Sequence, residues 1–506
     1  MNVINDDWLF VRYLNNEVKQ ISVRQAFIDA DKIKNIETPV FHNTRVYIYD
    51  VPVIQLLSTI LLATYFKPEV NFKAHSSYFS KDLMQNGWDL DLILSYLDQY
   101  QHKFNMFDDT YPFLQNIKLK QQKTTDEGNM SLGYISKTNL VAPGGNNLIF
   151  EHNSSTKTDL CSYKPTKDEL VYILLYLRTM ATSPMAKYYP NKALCGNTTM
   201  FMINYGKNLK ETIVYNSLPL RENTMEDDLF DRPIWEFDNE EDIKDYDIED
   251  LYENTLLCTF FPCLPIYIDY SDGLKDIILS RTSSDVVISK ELRDQLSLSY
   301  VMSNPWAIKK SIDENGTISW RYKEWNKSIK LINLCIEITK RNTSSCGCNL
   351  IDTQFQENKN ANTVIYYREY DGMKSNVLSF GKYEIDQNIF ESLQNEQYHE
   401  KAEQFQTLVD KIQKRFNEFN ESGINKAVIE STKLKFSKFA ENYFFGMFCS
   451  NIADENIVET TTVLFIKEAK KLARSFQFIT SNPLKYAQSY KKFCGNINKL
   501  KEENYV

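Results

Sequence analysis

Glu400-Lys-Ala-Glu-Gln-Phe-Gln-Thr-Leu-Val-Asp-Lys-Ile-Gln-Lys-Arg-Phe-Asn-Glu-Phe419 decides how this chain is built. Its apolar residues, Ala402, Phe405, Leu408, Val409, Ile412, Phe416 and Phe419, recur mostly at spacings of three and four. Such residues share one face of an α-helix, whereas a strand would scatter them over both faces. The helical character begins near Asn395 and runs to the C-terminus. Breaks at Ser422-Gly423, around Ser450 to Glu455 and at Ser481-Asn482-Pro483 divide it into four pieces. A four-helix bundle is the simplest way for those pieces to cover one another's apolar faces.

Upstream the pattern is mixed. Trp8-Leu-Phe-Val-Arg12 and Arg45-Val-Tyr-Ile-Tyr49 have strand character. Val51 to Phe66 is apolar enough for a buried helix, with Pro52 acceptable in its first turn. A second helix is expected from Lys81 to Lys103, burying Leu83, Trp88, Leu90, Leu92, Ile93, Tyr96 and Leu97. Phe104 to Gln115 is aromatic and contains Pro112, so it reads as a structured loop. Ala142 to Asn147 reads as a turn, Lys167 to Met180 as an amphipathic helix, and 182–199 as irregular. Thr363–Tyr367 and Asn376–Phe380 alternate on either side of Tyr370-Asp371-Gly372, which is the pattern of a β-hairpin with an extended tip. The fold class is therefore α+β: a mixed N-terminal domain over 1–394 and a C-terminal four-helix bundle over 395–506.

The chain has 506 residues, 42% apolar and 25% charged, as in an ordinary globular protein and unlike a disordered or collagen-like one. Its nine cysteines are odd in number and scattered, which speaks against a secreted disulfide framework and for a reducing cytoplasm. The opening Met-Asn-Val-Ile-Asn-Asp-Asp lacks the basic-then-apolar order of a signal peptide. Val51 to Phe66 is too short and, with Gln55, Ser58 and Thr59, too polar to span a bilayer, so no membrane is expected. The net charge of −9 argues at face value against a nucleic-acid partner. That charge is unevenly spread. Glu222–Glu253 holds fifteen Asp/Glu against Arg232 and Lys244, a net −13, which leaves +4 for the rest. Lys467 to Lys501 holds nine Lys/Arg and one acid, Glu468, interleaved with Phe476, Phe478, Tyr486, Tyr490 and Phe493; Lys433, Lys435 and Lys438 add a second cluster. Such a face either tracks a phosphate backbone or is simply solvated.

Catalytic patterns are missing. The five histidines (His42, His75, His102, His152, His399) form no HExxH, and there is no Walker loop, GxGxxG or GxSxG. Asp108-Asp109 suits a turn cap better than a carboxylate dyad. Cys258-x4-Cys263 and Cys346-Gly-Cys348 could offer four thiolates to zinc, but neither pair has finger spacing. A non-enzyme with no cofactor and no metal is expected.

Several segments, in one order along the chain, resemble a single family, the large (CasA) subunit of the type I-E CRISPR Cascade surveillance complex. Asn5-Asp6-Asp7-Trp8-Leu9-Phe10-Val11-Arg12 is similar to its "D-x-W-I-P-V-R" strand, and Phe104 to Gln115 to its "F-x-L-F-D-x-x-x-P-F-L-Q" segment. Asn146 to Asn153 falls where the family has "N-x-x-x-F-x-H". Gly206-x2-Leu209-x-Glu211-Thr212-x3-Asn216 resembles "G-x-x-L-x-E-T-L-x-x-N", Pro233-Ile-Trp235-Glu236 resembles "P-x-W-E", and Asn304-Pro305 with Trp320-Arg321 resembles "D-P … W-R".

The resemblance implies a subunit that recognises the protospacer-adjacent motif (PAM) on double-stranded DNA and helps open the duplex. Guide RNA (crRNA) pairing then reads the sequence, and a helicase-nuclease or another nuclease subunit cuts. It also implies contacts with other Cascade subunits. Phe150, His152 and Asn153 match the loop that docks on the guide-RNA handle and neighbouring subunits. Ser183, Met185 and Lys187 fall in the PAM-facing loop, which here lacks the family's glycines and so points to side-chain contact with the groove. Lys290 and Arg293 lie in the region of a basic minor-groove finger. Met373, Lys374 and Ser375 form the tip of the wedge hairpin, where the family often has Gln. Lys491, Lys492 and Lys499 are expected to contact the displaced strand or its backbone. The other reading is a structural or protein-interaction scaffold with no direct nucleic-acid contact, which the acidic segment favours.

Overall fold

A computed structural model of the chain describes residues 1–38, 40–41, 44–45, 47–66, 76–120, 132–134, 165–180, 200–217, 231–238, 243, 255–263, 265–270, 274–280, 306, 362–370, 377–385 and 395–503. These fall into two compact units, the first holding the described residues through Glu384 and the second those from Ile385 on. The architecture is α+β, with small sheets among helices in the first unit and helices in the second.

The first unit opens with β1 (Leu9–Tyr13) paired antiparallel to β2 (Val18–Ile21), Leu9 opposite Ile21. Asn16, at φ 68, makes the turn between them. α1 (Val23–Ile28) starts at Ser22, whose hydroxyl accepts the Gln25 N–H. β3 (Ile33–Ile36) then pairs with the other edge of β1.

The strand expected over Arg45–Tyr49 is shorter than its apolar run. Only β4 (Val40–Phe41) and β5 (Thr44–Arg45) pair, and Tyr47–Tyr49 winds into a 3-10 turn. Adjacent residues Ile48 and Tyr49 are both buried, which a strand with one core face cannot achieve. α2 (Asp50–Tyr65) follows and is buried along its whole length. Its threonine hydroxyls bond back within the helix, Thr59 donating to Gln55 O and Thr64 to Ile60 O, while Ser58 donates to Ile213 O. Tyr47–Tyr65 is long and apolar enough to cross a membrane, but 94% of it is buried inside the protein, so it is a core helix.

The single helix expected over Lys81–Lys103 is two helices, α3 (Ser76–Asn86) and α4 (Leu90–Tyr100), followed by a 3-10 turn at Gln101–Phe104. Gly87 stops α3: at φ +76 its N–H returns to Leu83 O, a left-handed exit that L side chains resist. Asp89 restarts the chain as the cap of α4, accepting from Leu92 N. Beyond β6 (Leu132–Tyr134), α5 (Lys167–Met180) has the expected bounds but not the expected exposed face. Leu170 to Met180 are all buried, Arg178 included. Tyr172 explains part of this, with its ring edge-on to Trp8 at 5.0 Å and its hydroxyl accepting from Phe10 N at 3.0 Å.

β7 (Met200–Tyr205) leads into α6 (Leu209–Asn216). Asp231 then accepts the Leu256 and Leu257 N–H groups at the start of α7 (Thr255–Thr259). β8 (Ile266–Tyr270) and β9 (Leu274–Ser280) join β6 in an antiparallel sheet of order β6-β9-β8. β10 (Asn362–Tyr370) and β11 (Val377–Ile385) supply the two hairpin strands, in a sheet of order β11-β10-β7. The tip between them, 371–376, lies outside the described residues.

In the second unit α8 (Glu396–Arg415), α9 (Lys426–Tyr443), α10 (Ile457–Arg474) and α11 (Pro483–Glu503) are separated where the sequence breaks its period. α8 packs against the other three, and α10 against α9 and α11. Their core is aromatic: Phe405, Phe416, Phe419, Phe436, Phe444, Phe448, Phe465, Phe476 and Phe493 are fully buried, with Phe405 and Phe465 edge-on at 5.2 Å. Gly423, at φ +76, makes the first break, and Asn425 caps α9 by accepting from Ala427 N.

Candidate nucleic-acid interface

The segments that carry the family resemblance are held by interlocking polar contacts. Around α6, Asn208 accepts from Glu211 N at 2.9 Å while the Glu211 carboxylate accepts from Lys207 N at 2.8 Å, a reciprocal cap. Thr212 accepts from Gly206 N, and Leu209 is fully buried. Asn216 bonds the backbone of β7 twice, its amide donating to Asn204 O at 2.8 Å and accepting from Asn204 N at 3.2 Å. Gly206 is required by space, because a Cβ there would lie 2.2 Å from the Glu211 Cβ.

The loop after Phe104 is held in the same way. Asp108 accepts from Thr110 N and Tyr111 N, both at 2.8 Å, which makes it a turn cap. Asp109 pairs with Lys120 at 2.8 Å, which holds its carboxyl below the usual range. The buried Gln115 donates to Met106 O and accepts from Ile268 N, tying the loop to β8. Trp235 donates to the Tyr96 hydroxyl at 2.8 Å, and that hydroxyl donates to Glu236 at 2.7 Å. Burial, reinforced by Glu236, pushes the Tyr96 phenol well up.

A buried polar cluster sits at the hairpin strands. The Tyr366 hydroxyl on β10 donates to Asp50 at 3.0 Å, and Thr38 also donates to that carboxylate. Tyr205 on β7 lies 2.6 Å from the Tyr366 oxygen, and since the Tyr366 proton is directed at Asp50, Tyr205 donates. Burial, then the Asp50 charge, drives the Tyr366 phenol well up, so it remains a donor at neutral pH.

Among the described candidates, α11 carries the basic face. Tyr486, Phe493, Ile497 and Leu500 point into the core, while Lys485, Lys491, Lys492 and Lys499 are exposed. Lys492 and Lys499 share a stripe, as a seven-residue spacing demands, and Lys485 completes it; Lys491 is turned about 100° away. Successive stripe lysines are about 10 Å apart along the helix. The earlier basic residues are more committed: Arg474 donates to Tyr490 at 2.9 Å, Lys470 to Asn498 at 2.7 Å, and Lys471 pairs with Glu468 at 3.2 Å. Half-buried Lys433 is held by Glu430 and Asn417, leaving Lys435 and Lys438 as the exposed members of its cluster. Lys485 was not singled out from the sequence, although its spacing from Lys492 and Lys499 is the signal that marks it.

Phe150, His152, Asn153, Ser183, Met185, Lys187, Lys290, Arg293, Met373, Lys374 and Ser375 lie outside the described residues. What is described is the frame next to two of these groups: α5, which ends at Met180 before 183–187, and the strands on either side of 373–375. Cys258 and Cys263 are buried. Among the described residues no group of three or more His, Cys, Asp or Glu is placed to hold a metal.

The family model for the CRISPR-associated protein Cse1 matches residues 2–263. A comparison with curated proteins found no match. Among solved structures the chain is similar to CasA (Cse1) of Thermus thermophilus, with 16% identity, 99% of each chain covered and a TM-score of 0.64. It is also similar to Cse1 of Thermobifida fusca, with 14% identity, 99% of this chain and 98% of that one covered and a TM-score of 0.62. A chain of a CRISPR RNA-guided surveillance complex matches at 15% identity over 98% of this chain and 99% of that one, with a TM-score of 0.64. With a family match over more than half its length and the same fold throughout, this chain belongs to the CRISPR-associated Cse1 (CasA) family.

Proposed function

We propose that this chain is the large subunit of a type I-E CRISPR Cascade complex, where it reads the PAM on target duplex DNA, helps open the duplex and supports recruitment of a separate nuclease. The observation that carries this reading is the Cse1 family match over residues 2–263. Similarity to a chain of an RNA-guided surveillance complex supports crRNA and other Cascade subunits as partners. The chain itself performs no chemistry; it contributes binding, and base pairing with the guide contributes sequence. Contacts with the guide handle are assigned to Phe150, His152 and Asn153, with the PAM to Ser183, Met185 and Lys187, and with the minor groove to Lys290 and Arg293. The wedge is assigned to Met373, Lys374 and Ser375.

The exposed Lys485, Lys492 and Lys499 stripe supports a phosphate-tracking role for α11. The test compares complexes assembled with and without this chain on target duplexes bearing a randomised PAM library. PAM-dependent binding is expected only with the chain present; equal selection without it would refute the reading. Replacing the three stripe lysines by Gln is expected to flatten the slope of log affinity against log salt by about 2–3. An unaltered slope would remove α11 from the interface.

A further inference from the structure

The two hairpin strands are fastened to one short segment of the core. From β10, Tyr366 donates to Asp50 at 3.0 Å; from β11, Lys382 sits 5.3 Å from the centre of the Tyr47 ring. Tyr47 and Asp50 bracket the 3-10 turn that runs into α2, whose every residue is buried. Tyr366, Asp50 and Thr38 are themselves buried, and Tyr205 closes the cluster from β7.

Strand pairing alone does not require this cluster. β10 is already held by a six-residue antiparallel register with β7, including Tyr366 opposite Phe201. A buried carboxylate with hydroxyl partners adds little net stability over well-packed apolar residues, because desolvation offsets the attraction. What it adds is direction: a hydrogen bond to a carboxylate fixes the angle of a strand more sharply than apolar packing does. From Tyr366 to the end of β10 the strand extends about 13 Å, so 5° of slack at the cluster becomes about 1 Å at the strand end. An element that must push between stacked bases loses effectiveness with such slack.

We propose that Tyr366 and Lys382 are positioning residues for duplex opening, clamping the β10–β11 hairpin to the Tyr47–Asp50 segment. This rests on the reading of that hairpin as the wedge. Residues at the clamp do not touch DNA; they hold the strands that carry the contact.

The experiment uses the assembled complex and a target duplex whose PAM has been selected from a library, with 2-aminopurine in the base pairs next to the PAM. Binding is measured by titration and opening by the fluorescence rise. Tyr366→Phe removes one hydroxyl, Lys382→Met removes one charge and keeps the stem, and Tyr172→Phe is the matched control. Tyr172 is an equally buried tyrosine whose hydroxyl serves β1 instead. Tyr366→Phe should slow opening about ten-fold with duplex affinity unchanged, the scale of one lost hydrogen bond to a charged partner. Lys382→Met should slow it about two- to five-fold, the scale of one cation–π contact at a partly exposed site, because the Lys382 ammonium also pairs with Glu384 at 3.0 Å. Tyr172→Phe should leave opening at the wild-type rate even where it lowers the melting temperature as much. If Tyr172→Phe slows opening as much as Tyr366→Phe does, the effect is general destabilisation and the proposal is overturned. Normal opening in Tyr366→Phe beside slow opening in the Met373→Ala/Lys374→Ala variant overturns the clamp and leaves the wedge intact. Normal opening in Met373→Ala/Lys374→Ala refutes the wedge reading and the clamp with it.

Discussion

At Gly206 one added methyl group should do disproportionate harm. Its Cβ would lie 2.2 Å from the Glu211 Cβ and 3.1 Å from the Glu211 carbonyl carbon. Rotating the Glu211 side chain relieves neither contact, because both atoms are fixed to the frame of α6, and Asn216 ties that helix to β7. Reaching ordinary contact needs a backbone shift of about 1 Å in a region packed at crystal-like density. Overpacking of this kind typically costs about 1–3 kcal/mol. The same shift breaks the Glu211–Lys207 and Thr212–Gly206 hydrogen bonds, each worth about 1 kcal/mol. Gly206→Ala should therefore destabilise the first unit by about 3–5 kcal/mol. Unfolding entropy of about 2.1 cal/mol/K per residue over roughly 360 residues turns that into a fall in Tm of about 4–7 °C. Scanning calorimetry of Gly206→Ala should be run in the wild-type and Glu211→Gly backgrounds, since Glu211→Gly removes the clashing Cβ. The alanine should cost less than half as much in the second background. An equal cost in both would show that the Cβ contact is not the source and refute the reasoning.

Gln115→Leu should cost about 2–4 kcal/mol, because it strands the buried Ile268 N–H and Met106 carbonyl. Urea unfolding should show a lower midpoint with an unchanged slope, and a midpoint within error of wild type would contradict the role given to this side chain. Alkaline stability provides another check. Tyr96, Tyr172 and Tyr366 all have phenols raised above 10, with burial as the first cause. Folding therefore retains protons that the unfolded chain gives up. This contribution is fully present below pH 10 and is lost above it, at about 1.4 kcal/mol per pH unit for each phenol. Unfolding free energy should fall between pH 10 and 11, and Tyr172→Phe should make that fall shallower; a flat profile across this range would count against it.

The C-terminal helices were legible because their signals are local. Each helix face recurs within four residues, and the breaks contain residues suited to stopping a helix, such as Gly423 at φ +76. The break at Gly87 was equally local, but the apolar pattern of Leu83, Trp88 and Leu90 runs straight across it and masks the glycine. Arg45–Tyr49 looked like a strand since alternation cannot distinguish one buried face from a turn that buries adjacent residues. Tyr366 and Asp50 are 316 positions apart, and nothing in the sequence near either one names its partner. Helix geometry alone aligns Lys485, Lys492 and Lys499, seven apart, but charge density along the sequence groups Lys491 with Lys492 and Lys499 instead, and so the stripe was missed.

The segments that carry the family resemblance do structural work where the structure describes them. Trp8 donates to Val3 O, Gln115 bridges Met106 and Ile268, Trp235 and Glu236 share Tyr96, and Gly206, Glu211, Thr212 and Asn216 lock α6 to β7. None of these contacts needs a ligand; each satisfies a backbone group or fills a space that the fold creates. The same fold is reached at 16% identity to Thermus thermophilus CasA (Cse1), so it does not need extensive identity of sequence. Loops carried on such a frame can change without unmaking it. The two segments that the resemblance reads as the PAM-facing loop and the wedge tip, 182–189 and Met373-Lys374-Ser375, contain no glycine and no glutamine respectively. On the proposed function both segments face DNA, so a change in PAM preference would be expected there, on a frame that substitutions in them leave intact.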